Sequence, residues 1–92
     1  MLSGADRYLR FSTTLGHLVR RIAIHRMTGD DWLGVHLDSV AYVQRAVAAN
    51  FPIAASVEKL FVSVAKSASA YLSSHGRSLP VIEPGETINH RN

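Results

Sequence analysis

Residues 31–51, DWLGVHLDSVAYVQRAVAANF, carry three charges in 21 positions: Asp31, Asp38 and Arg45. At 100° per residue, a helix here sets Leu33, Leu37, Val40, Val47 and Phe51 on one narrow face, the period that buries a helix against a neighbour. The other side shows Trp32, Val35, Tyr42, Ala46 and Ala49 where polar residues would normally stand. A helix that is apolar nearly all round is normally covered all round. A chain of 92 residues has few other elements to do this. The stretch therefore predicts that a second copy, or another protein, supplies the cover over Trp32, Val35, Tyr42 and Ala46, with Val62 joining the same oligomer interface. Leu33, Val35 and Leu37 also alternate, which is a strand signal, but the helical pattern continues to Phe51 and no second strand is available to pair.

Upstream, Thr28-Gly29-Asp30-Asp31 reads as a turn, with Gly29 in the left-handed position that closes one helix and Thr28 or Asp30 capping the next. Before it, Tyr8, Phe11, Leu15, Leu18 and Ile22 step by three and four, with Val19 and Ala23 widening the stripe, so a helix is expected from Gly4 to Met27. Ser3 and Asp6 suit its first turn. Ser12, Thr13, Thr14 and Gly16 are mediocre helix formers in its middle, which allows a kink near Gly16 and leaves the helix dependent on packing.

Downstream, the ring of Pro52 disfavours helical geometry at Phe51 and suits the start of a new helix. Ile53, Val57, Leu60, Phe61, Val64, Ala68, Tyr71 and Leu72 then share one face up to Gly76, with Val62 among the polar residues opposite. Short connections favour antiparallel neighbours. The fold expected is all-α: three long helices in an up-down-up antiparallel bundle over residues 1–76. Residues 77–92, with two prolines and no period, read as an extended or disordered tail from which Leu79, Val81 and Ile82 can dock on a neighbour.

Composition narrows the function. The 47% hydrophobic and 18% charged content is that of a globular chain. Cysteine is absent, which leaves no disulfide framework or thiolate chemistry and fits a cytoplasmic location. The longest apolar run, Ala46 to Val57, contains Asn50 and Pro52 and is too short to span a bilayer. The five histidines lack the i, i+3 or i+4 spacing of helical metal ligands; His17 and His25 are eight apart with Arg21 between, and His36 reads as a satisfied histidine at the edge of an apolar stripe. Ser63 to Lys66 matches a Ser-x-x-Lys pattern, but without the companion motifs of the enzymes that use it. No glycine-rich phosphate loop and no calcium loop is present. Neither a cofactor nor a metal is expected, and an enzyme is not.

The net charge of +3 is uneven. Residues 1–27 hold five arginines against Asp6 alone, while the remaining 65 residues hold five cations against six acids. Arg7, Arg10, His17, Arg20 and Arg21 form a basic face suited to phosphates or to an acidic protein patch. Residues 1–27 also resemble an organellar presequence in composition, although the apolar stripe argues for a structural helix. The sequence thus predicts a small non-enzymatic regulatory or adaptor protein of bacterial or phage type. It would act by protein–protein binding as a homodimer, with an unidentified protein as a further partner. The alternative is a nucleic-acid-binding protein that uses the basic face of helix one.

Overall fold

The computed structural model describes residues 4–80. It contains three helices, α1 (Gly4–Thr28), α2 (Trp32–Ala48) and α3 (Ala55–Ser73), and no strand among the described residues. Trp32–Leu37 lie within α2, so the alternation of Leu33, Val35 and Leu37 carries no extended segment. The helix α1 runs unbroken through Gly16, and the Thr14 hydroxyl donates to the Arg10 carbonyl at 3.0 Å, which satisfies it within the helix. Ser3 and the segment beyond Pro80, with Val81 and Ile82, lie outside the described residues.

Left-handed backbone closes each helix. Gly29 has φ +75°, and its N–H bonds to the His25 carbonyl at 2.7 Å. Asn50 has φ +55°, which lets Phe51 N–H reach back to the Ala46 carbonyl at 2.8 Å while Asn50 N–H takes that of Val47. This paired return ends α2 at Ala48, three residues before Phe51, where the sequence placed its end. Gly76, at φ +70°, does the same for Arg77 N–H and the Leu72 carbonyl. Pro52 does not open α3: Ala54 stays extended, and the helix starts at Ala55. The extended linker lets both Phe51 and Ile53 pack against the core. The N-cap of α2 is Asp31, with no side-chain capping bond; the Thr28 hydroxyl is used on Asp30 Oδ1 instead.

Contacts between α1 and α2 run Arg7 to Ala49, Arg21 to Asp38 and His25 to Trp32, so partner numbers fall as positions rise and the two helices are antiparallel. The helix α2 lies between α1 and α3 and packs against both. The core is Leu18 and Ile22 from α1; Trp32, Val35, Tyr42 and Ala46 from α2; and Phe61, Val64 and Ala68 from α3. Tyr42 is its hub, with Phe11 and Phe61 edge-on at 5.9 Å each. Phe11 in turn stacks on Phe51 at 4.5 Å. Ser39 is buried at the centre of this face, and its hydroxyl donates to the Val35 carbonyl at 2.9 Å. Leu79 folds back onto the core from the segment after Gly76.

The two faces of α2 are the reverse of the sequence expectation. Trp32, Val35, Tyr42 and Ala46 are 7%, 0%, 2% and 0% exposed inside the subunit's own core, so α1 and α3 provide the cover assigned to a second copy. Leu33, Leu37 and Val40 are only half-buried, and Val47 is exposed. The physical reason is close approach: a helix held between two others buries the side where Ser39 and Ala46 are small enough to let both neighbours in. A similar exchange occurs on α1, where Val19 and Ala23 are exposed while Arg21 and His25 are half-buried beside α2.

Candidate protein-binding surface

The apolar stripe that α2 does not bury continues across the gap to α3. Val43, Val47, Phe51, Ile53, Phe61 and Val62 line an open groove there, with Glu58 at its edge. Val47 from α2 is 65% exposed and Val62 from α3 is 55% exposed. Of the five residues assigned to an oligomer interface from sequence, only Val62 is at the surface. Val43, Val47, Phe51 and Ile53 replace the other four. Val47 and Phe51 belong to the stripe whose spacing marks it for the core, Ile53 to the face expected of the third helix, and Val43 carries no separate signal in the sequence.

Val62 also lines a second groove, with Glu58, Lys59, Ser63 and Lys66. On the far side of the Phe51–Ile53 linker, a third groove opens toward α1. Leu15, Tyr42 and Val57 line it together with Arg7, Tyr8 and Ser12. Burial pushes the Tyr42 phenol above its ordinary pKa.

The basic face of α1 is divided by its neighbour. Arg7 Nη1 donates to the Ala49 carbonyl at 3.3 Å, which ties the start of α1 to the end of α2. Arg21 pairs with Asp38 of α2. Arg20 Nη2 is 3.4 Å from His17 Nδ1, so these two share a local contact. Arg10 and Arg20 are exposed. The five residues predicted to act together are therefore brought to one side of α1, but two of them hold α1 against α2.

The histidines are placed singly. His25 Nδ1–H donates to the Asp30 carbonyl at 2.7 Å, and His75 Nδ1–H to the Tyr71 carbonyl at 2.8 Å. His36 Nδ1 is buried without a hydrogen-bond partner among the described residues, contrary to the satisfied histidine expected there. Burial lowers its pKa below the ordinary 6.5. Among the described residues no three His, Asp or Glu side chains converge on a possible metal position. Ser63 Oγ accepts from Arg26 Nη2 at 3.4 Å, and a guanidinium cannot serve it as a base. No helix among the described residues is long and apolar enough to cross a membrane.

The chain matches no protein-family profile, no curated protein and no solved structure.

Proposed function

We propose that this chain is a small non-enzymatic cytoplasmic protein of regulatory or adaptor type, which works by protein–protein association with itself as first partner. The observation that carries the reading is the exposure of Val47 and Val62 on the two rims of one apolar groove. Contiguous apolar surface of this kind, edged by charge, is characteristic of association sites. The Arg21–Asp38 pair and the Arg7–Ala49 bond supply a structural use for two of the arginines, which favours the apolar surface over the basic one as the working face.

Light scattering after size exclusion at about 100 μM tests it, a concentration at which micromolar association is near saturation. The expected mass is twice the 10.1 kDa of one chain. The Val47→Asp/Val62→Asp variant is expected at the single-chain mass with its helical circular dichroism intact. A parent protein that is monomeric throughout overturns the reading.

The alternative, nucleic-acid binding, draws on exposed Arg10 and Arg20. It requires duplex or single-strand binding that falls steeply as salt rises, which apolar association does not.

A further inference from the structure

The exposed side of α3 carries a charge pattern that complements itself. Glu58, Val62 and Lys66 stand four residues apart on one ridge of the helix, and all three are exposed. Glu58 and Lys66 are eight residues apart, roughly 12 Å along the axis, too far to pair within one chain. No ion pair of either residue occurs among the described residues, so both charges face outward around an exposed valine.

We propose that two copies of the chain pair through α3, antiparallel about a two-fold axis at Val62, with Glu58 of each copy against Lys66 of the partner subunit. This rests on the α2–α3 surface being the association face. A two-fold axis at position 62 sets each residue before it opposite the residue equally far after it, because such an interface uses the same patch on both copies. Both Glu58–Lys66 pairs therefore form at once, and Val62 meets Val62 at the centre. Val47 lies beside Val62 and extends the apolar centre toward α2. A parallel pairing would instead set Glu58 against Glu58 and Lys66 against Lys66, which is repulsive.

The test is a charge exchange read by sedimentation equilibrium over a concentration series. Glu58→Lys and Lys66→Glu, each alone, turn both pairs from attraction to repulsion and are expected to raise the dimer dissociation constant by roughly tenfold. Combining them in one chain is expected to return it to within about threefold of the parent, as restored pairing requires. Mixing the two single variants is expected to give a mixed dimer, because positions 58 and 66 are then both cationic in one copy and both anionic in the other. Circular dichroism of each variant separates lost association from lost folding. A parent dimer that ignores both single reversals, or is not rescued by their combination, overturns this register and leaves the association reading standing. A monomeric parent overturns both.

Discussion

Arg21 of α1 and Asp38 of α2 form an ion pair across the helix interface, 17 positions apart in the chain and with side chains 42% and 25% exposed. That contact separates Arg21 from the other cations of α1. Arg10→Glu and Arg20→Glu are expected to change stability by under about half a kcal/mol, as surface substitutions do. Arg21→Glu sets two carboxylates together and is expected to cost about 1–2 kcal/mol, a drop of several degrees in Tm for a domain of this size. Thermal melts of the three single variants decide it: equal melting temperatures would mean that the pair holds nothing together.

Tyr42 and Leu37 test which face of α2 is inside. Tyr42→Ala removes the ring that Phe11 and Phe61 meet edge-on and is expected to cost about 3–5 kcal/mol. Leu37 is half-buried outside the core cluster, and Leu37→Ala is expected to cost less than half as much. Urea unfolding measures both. A larger loss at Leu37 would restore the opposite orientation of the helix.

The difficulty at α2 is physical. Position and type of all three helices were legible because their apolar residues recur every three or four positions between Gly29, Pro52 and Gly76. The buried stripes of α1 and α3 were legible at their centres, Leu18 and Ile22, Phe61 and Val64. For α2 the same period fits two stripes. The stripe with more large residues, Leu33, Leu37 and Val40, looked like the core, while Ser39 and Ala46 made its rival look weaker. In a central helix small residues admit neighbours on both flanks, and the Ser39 hydroxyl is satisfied by the Val35 carbonyl. Neither fact is visible in hydrophobic spacing. The candidate site followed the same error: Val62 was found because it breaks its own helix's pattern, whereas Val47 fitted a pattern and was placed inside.

Asn50 provides a test of how α2 stops. Its φ of +55° is tolerated by asparagine and costs residues with a Cβ and no short polar group about 1 kcal/mol or more. Asn50→Ala is expected to lower stability by about that amount, and Asn50→Gly to leave it unchanged or raise it slightly. The comparison is made by chemical denaturation at constant pH. An alanine variant as stable as the glycine variant would mean that Phe51 does not depend on this turn to reach Phe11.

His36 makes stability depend on pH, with a sign fixed by its burial. Its Nδ1 is enclosed without a partner, and burial lowers the pKa of the folded state below the 6.5 of the unfolded chain. Between those two values the unfolded chain binds more protons than the folded one, so stability rises with pH across that window. Above about 6.5 the imidazole is neutral in both states and there is no penalty; below the lowered value the penalty is complete and constant. Acidification from pH 7.5 to 5 is therefore expected to destabilise the parent. His36→Leu puts an apolar side chain of similar reach in place of the imidazole and removes the titration, so its loss of stability over the same range is expected to be smaller. The other four histidines remain in both proteins and cancel in the comparison. Denaturation curves of parent and variant at the two pH values provide the measurement, and equal losses in the two would mean that the imidazole is not enclosed in solution.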